Sequence, residues 1–434
     1  MKHPTSVRPQ LGVSLVELMI AVALASFLLI GLIQVFGASR QAYQTSVGIS
    51  RIQEGARFGT EFLQRDLRMA GHLGWANDMA RMFSATFPSP SGAVQVRQID
   101  NLMAADNNPL DQFNSALELS TAAFPFRFDV AVQGFEAAAT APGQTIVLAG
   151  RAVAAANHWT PALDAGLYAG MSPRPLAGSD VVVLRFLGQD GVPVRFDKDA
   201  NTITLAASDA SFVRPSRFYG IANYGAVALF QAPATASGAT ITIEASGANT
   251  RLFQAASEPL RGNVMLYPAH IFAYYVGLGA SGAPSLFRAN FSGTTWTTEE
   301  LVEGVEMLQL TYGRDSLVSV PVPLPPASPL PCPAVGGQCV PDGSVDDYVA
   351  ADAVVAGLTT EWERAARWRS VGAVRVGMLV RSPERAGTPN RDEANPDVGR
   401  LFIGRSVIDL PENDAILRRP YESTVALRNR LYGN

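Results

Sequence analysis

From Val13 to Phe36 the chain reads VSLVELMIAVALASFLLIGLIQVF, with Glu17 as its only charge, and uncharged residues continue from Leu18 to Ser39. At about 1.5 Å per helical residue this uncharged stretch is roughly 33 Å long, enough to cross a hydrocarbon core of about 30 Å. No proline occurs between Gln10 and Phe87, so one helix is predicted from the apolar run to about Gly71, where GHLG supplies a stop. Its outer half is amphipathic. Ile49, Ile52, Ala56, Gly59, Leu63, Leu67 and Ala70 recur at spacings of three and four, while Arg51, Glu54, Glu61, Arg65 and Arg68 take polar positions. Glu61 and Arg65 stand in i,i+4 register for an ion pair. Gly31, Gly37, Gly48, Gly55 and Gly59 each lower helix stability by up to about 1 kcal/mol relative to alanine. Bending around Gly31 and Gly37, or close packing of the helix, would account for them.

Beyond Gly74 the period changes to short alternating or apolar runs punctuated by Gly, Pro, Asn and Asp, which is the pattern of strands. The runs are Phe126–Gln133, Thr145–Ala149, Asp180–Leu187, Thr202–Ala206, Ala226–Gln231, Thr240–Glu244, Ile271–Val276 and Leu286–Phe291, then Met307–Tyr312, Ala373–Arg381, Leu401–Ile408 and Ser423–Leu427. Val320–Pro333, VPVPLPPASPLPCP, cannot enter a central strand and is expected to be an exposed, partly polyproline loop. The predicted class is α+β: a long N-terminal helix packed on a large, antiparallel, β-rich head. The chain divides into 1–12 ahead of the apolar run, 13–36 as the membrane half of the helix, 37–71 as its amphipathic half, and 75–434 as the head, with the proline-rich loop at 320–343.

A length of 434 residues and 47% apolar content give ample core for a folded protein. The formal charge of −4 becomes more negative by two if a leader holding Lys2 and Arg8 is removed, so no global basic field predicts nucleic-acid binding. Cys332 and Cys339 are the only cysteines, and their closeness suits one short disulfide in an exported loop. A zinc site is the rival, but it needs four ligands, and His3, His72, His158 and His270 all lie far away in sequence. No nucleophile elbow, HExxH, Walker loop or dinucleotide fingerprint occurs, so no catalytic residue and no cofactor are predicted. Asp197, Asp199 and Asn201 have the opening spacing of a calcium loop, yet Thr202 replaces the turn glycine and Ser208 the bidentate glutamate. A polar hairpin turn is the simpler reading. Asp342, Asp346 and Asp347 form a second weak calcium candidate.

Glu17 is the anomaly of the apolar run. A carboxylate at the bilayer centre costs about 2.5–3.5 kcal/mol on insertion scales, and less toward an interface, so it needs a partner. A cut between Gly12 and Val13 would create an α-amine four residues before it, in the same or an adjacent subunit. At these residues the sequence resembles the type IV prepilin family: a short basic leader, here MKHPTSVRPQLG, ends in glycine, a hydrophobic residue follows, and glutamate is fifth in the mature chain. The resemblance implies cleavage after Gly12 by a prepilin peptidase, N-methylation of Val13, where the family usually has Phe or Met, and a role for Glu17 in aligning the subunit in the filament.

Gly55–Gly74, GARFGTEFLQRDLRMAGHLG, looks like the helix end of PilW-type minor pilins, with its ARF stretch and RDLRMAG motif. Leu301–Tyr312, Tyr348–Val355, Trp368–Ser382 and Ser423–Arg430 resemble stretches of the same proteins in order and spacing. This resemblance implies a non-enzymatic, single-pass inner-membrane protein with a cytoplasmic N-terminus and a periplasmic head that later sits at the tip or base of a fibre. Its implied partners are other minor pilins, the major pilin, the inner-membrane assembly platform and a tip adhesin. The implied roles are twitching motility, adhesion or DNA uptake. A minor pseudopilin of a type II secretion system would share the leader, helix and head. An anchored enzyme or binding module using such a leader for export is the reading from another class.

Overall fold

The computed structural model describes residues 14–75, 98–104, 122–148, 151–223, 226–253, 260, 264–315, 318–320, 338–340, 344–359, 361–385, 400–404, 406–411 and 415–429. Helix α1 (Leu15–Met69) opens the chain, and α2 (Ala165–Gly170), α3 (Ala351–Val354) and α4 (Glu361–Arg369) are short. The strands begin with β1 (Gln98–Asn101), β2 (Val132–Ala137), β3 (Thr145–Val147), β4 (Trp159–Thr160), β5 (Val181–Leu187), β6 (Val192–Asp197) and β7 (Thr202–Leu205). Next come β8 (Phe218–Ala222), β9 (Ala226–Gln231), β10 (Thr240–Thr242), β11 (Val264–Leu278), β12 (Pro284–Ser292) and β13 (Thr295–Glu303). The last are β14 (Val305–Arg314), β15 (Val318–Val320), β16 (Gln338–Val340), β17 (Asp347–Val349), β18 (Val371–Arg385), β19 (Leu401–Ile403), β20 (Ser406–Asp409) and β21 (Ile416–Ala426).

Twelve of these strands share one sheet whose spine is β11. The first part of β11, Val264–Pro268, pairs with β6 and β8, and the rest pairs with β5 and β12. A second sheet of four antiparallel strands has the order β17-β14-β18-β21. The large sheet is covered on both faces around its spine. Val182, Leu184, Phe186, Phe272, Tyr274 and Val276 point into one core together with α1 and the second sheet. Val181, Val183, Leu187, Ile271, Ala273 and Tyr275 point into another. This double burial is why those strands read as continuous apolar runs. Residues of β6 to β10 close a third core around Ile203, Phe230 and Ile241.

The structure is thus a long helix packed on a large, mainly antiparallel β-rich head. Several expected boundaries move. Phe126–Gln133 is not one strand: a single turn of 3₁₀ helix spans Phe124–Phe126, Arg127 pairs with Asp129 at 2.9 Å, and extended chain begins only at Val132. Leu401–Ile408 is a hairpin of β19 and β20 turning at Gly404, whose φ is +59°. β21 begins at Ile416, well before the expected Ser423, because it is the outer strand of its sheet, where Pro420 removes no ladder hydrogen bond that the fold needs. Most of the proline-rich loop, and Cys332 with it, lies outside the described residues. Its two ends are joined by β15 and β16, with Cys339 opposite Ser319.

Candidate functional site

Helix α1 is two surfaces in one element. From Leu15 to Phe36 its large apolar side chains are between 54% and 75% exposed, and burial begins only at Gly48. A contiguous apolar surface of that kind needs an apolar partner outside the chain. At its start Ser14 and Glu17 form a capping box: the Glu17 amide donates to Ser14 Oγ at 3.2 Å and the Ser14 amide donates to Glu17 Oε2 at 3.0 Å. The carboxylate therefore satisfies an amide that the helix start would otherwise leave open. A reading of Glu17 from lipid cost alone misses this role, although Ser-x-x-Glu at 14–17 is its signature. Gly12 and Val13 lie outside the described residues.

The outer half of α1 is locked into the head. Gly48, Ile52, Gly55, Ala56, Gly59, Leu63, Asp66 and Leu67 are buried, which is the expected stripe with Gly48, Gly55 and Asp66 added and Ile49 only half-buried. A Cβ on Gly55 would lie 3.5 Å from Val302 of β13, and one on Gly59 3.2 Å from the Met378 sulfur of β18. Gly59 thus lets the helix backbone come close to the Met378 side chain, whereas a Cβ on Gly55 would make only ordinary contact. Gly31 and Gly37 have nothing within 4 Å.

Asp66 fastens this contact. It accepts from the Tyr274 hydroxyl at 2.5 Å and from Arg288 Nη1 at 2.9 Å, both on the large sheet. Arg65 reaches back to Asp66 at 3.0 Å rather than forming the expected pair with Glu61. Arg288 also holds Glu299 and lies 4.5 Å over the Phe272 ring. Burial and the Asp66 charge push the Tyr274 phenol up, so it stays a donor. Beyond the helix the Gly71 amide donates to Arg185 O, and Asn429 Nδ2 donates to the Arg68 carbonyl at 3.1 Å with those of Met69 and Ala70 at 3.4 Å. The C-terminal end of the described chain therefore caps α1.

The first weak calcium candidate lies in the turn between β6 and β7. Asp197 Oδ1 accepts from the amides of Asp199 and Ala200 at 3.1 and 3.0 Å. Asn201, at φ +52°, turns its side-chain oxygen to the Phe253 amide at 3.0 Å. Asp347 pairs with Arg314 at 2.6 Å, and Asp342 lies outside the described residues. Among the described residues no three His, Cys, Asp or Glu side chains converge as a metal site. His72, His158 and His270 are separate: the first meets the Leu187 carbonyl at 2.8 Å, the second accepts from the Gly178 amide at 3.3 Å, and the third packs against both the Phe186 and Phe272 rings.

Residues 273–429 match the family model of the type IV pilus-assembly protein W. Over these residues the chain is similar to PilW-type proteins. No curated protein matches the chain. Among solved structures, a type IV-like pilin from Thermus thermophilus is similar over 38% of this chain and 67% of its own, at 16% identity and a TM-score of 0.17. The matched region begins inside β11 and includes Tyr274, Arg288, Val302, Met378 and Asn429. It therefore contains the head residues that meet Asp66, Gly55, Gly59 and the carbonyls at the end of α1, while β5 and Phe272, which share the core with α1, lie outside it. It relates the chain to the type IV pilus. Helix α1 and strands β1 to β10 lie outside the match.

Proposed function

We propose that this chain is a minor pilin of the type IV pilus, with a structural and priming role rather than a catalytic one. The observation that carries the reading is the division of α1: its first half exposes an unbroken apolar surface long enough to cross a bilayer, while its second half is fixed to the head. The chain inserts once in the inner membrane, leader in the cytoplasm and head in the periplasm. A prepilin peptidase cuts after Gly12, and Val13 is N-methylated. Glu17, already capping its own helix, then faces a new α-amine in the same or a neighbouring subunit. The exposed half of α1 passes from lipid to other pilin helices without changing the polarity of its surroundings. When α1 is drawn out, force reaches the head through Asp66, Arg288 and Tyr274.

A head this large suits the tip or base of a fibre, since shaft subunits must fit a tight helical repeat. The partners in this reading are other minor pilins, the major pilin, the assembly platform and a tip adhesin, in support of motility, adhesion or DNA uptake. Cys332 and Cys339 form a disulfide in the oxidising periplasm. Mass spectrometry of the N-terminus tests the reading. The chain should begin at methylated Val13 in cells with the prepilin peptidase and at Met1 in cells without it. A mature chain that begins elsewhere rejects it.

A further inference from the structure

The two sheets meet where β2 and the entry to β5 face β14, and this seam holds carboxylates that nothing else in the fold uses. Asp180 stitches it: Oδ1 accepts from the Ala137 amide of β2 at 3.0 Å and Oδ2 from the Leu310 amide of β14 at 2.8 Å. Beside it Glu136 accepts from the Thr140 hydroxyl at 2.9 Å through Oε1, while Oε2 is buried with no hydrogen-bond partner. Glu136 is only 4% exposed. Thr311 Oγ1 and the Tyr312 hydroxyl of β14 are likewise buried without partners. A cavity of about 20 Å³, lined in part by Glu136, Thr140, Thr311 and Ser406, is large enough for one water molecule.

The charged groups around the seam do not neutralise it. Asp352 of α3 adds a further negative charge, and Glu422 of β21 lies across the cavity. Arg375 of β18 also lines the cavity, but it stacks on the Tyr348 ring at 4.4 Å. Arg151, whose charge is felt at Asp180, donates to the Ala177 and Glu306 carbonyls. From α4, Arg369 and Glu361 face Asp129 and Arg127. Strand β4 meets Glu136 through the backbone of Thr160. Among the described residues no Arg, Lys or His nitrogen lies within salt-bridge distance of Glu136 or Asp180.

We infer that this seam is a proton-binding device: Glu136 carries a proton below neutral pH, donates it toward the cavity, and loosens the contact between β2 and β14 when it ionises. Burial, with help from Asp352, pushes the Glu136 carboxyl up to about 7 against the opposing pull of the Thr140 hydroxyl and the Ala351 amide. Burial and Glu136 likewise push Asp180 up. The folded chain holds this proton more firmly than the unfolded chain, whose glutamate has the ordinary value of 4.5. The stabilisation is therefore complete below that ordinary value and is lost as pH rises through about 7. The head tightens as its surroundings acidify, and this holds whether or not the chain enters a pilus.

The test is thermal unfolding of the full chain in detergent micelles from about pH 5.5 to about pH 8.5, comparing wild type with Glu136→Gln, which keeps the shape of the protonated acid. The wild-type midpoint should fall relative to the variant as pH rises from about 5.5 to neutrality and level off above it. Parallel curves overturn the inference. Infrared spectra of the wild type decide the matter if the variant does not fold. A protonated-carboxyl stretch that persists at about pH 6 and bleaches by about pH 8.5 supports the seam, and its absence at the lower pH overturns it.

Discussion

Asp66 occupies a position on α1 where spacing alone calls for an apolar side chain, between Leu63 and Ala70 on the inward stripe. Its charge is tolerated because Arg288 and the Tyr274 hydroxyl converge on one oxygen, Oδ2. Removing the carboxylate leaves a guanidinium whose side chain is 15% exposed, together with a buried phenol that has lost its acceptor. Asp66→Ala is therefore expected to cost about 3–5 kcal/mol in urea unfolding. Asp66→Leu combined with Arg288→Met should recover much of that loss, since paired apolar residues need no counter-charge. A loss under about 1 kcal/mol for Asp66→Ala would show that the network does not fasten the helix. Sequence spacing could have exposed this residue: Asp66 stands three after Leu63 and four before Ala70, and an acid on that face demands a buried partner. It could not name Arg288, which lies 222 residues away.

For α1 as an element, the glycines separate into two kinds. Gly59 faces the Met378 sulfur of β18, whereas Gly37 faces nothing. Gly59→Val should push the helix off β18 and lower head stability by about 1–3 kcal/mol, while Gly37→Ala should raise helicity without moving the unfolding midpoint of the head. Circular dichroism during urea titration reads both, and equal effects at the two sites would refute the distinction. The strands show the same dependence on surroundings. Val181–Leu187 and Ala226–Gln231 are legible because both of their faces are buried, so their composition is apolar apart from the buried Arg185 and Gln231. β6 and β13 are not: β6 carries Pro193 and Arg195, and β13 exposes Thr295, Thr297, Glu299 and Glu300. Only part of β11 is legible, because Pro268 falls where its pairing passes from β8 to β5.

On the scale of the molecule, the membrane half of α1 is readable because crossing a bilayer depends on composition and length, which are local properties. The head's side of the junction is not, because β12, β13, β18 and Asn429 reach the helix only through the topology of two sheets. That division makes a prediction about autonomy. The described residues before Gln44 are all exposed, and the first buried residue of α1 is Gly48. All four cores and the Asp66 network thus lie within the chain from Gln44 onward. A chain that starts at Gln44 should be soluble without detergent and unfold at the same temperature as the full chain in micelles, while being lost from the membrane fraction and from sheared fibres. Differential scanning calorimetry and cell fractionation give the two readings. If the shortened chain aggregates or melts far lower, the apolar half of α1 contributes to folding the head, and the separation of anchor from head that underlies the pilin reading fails.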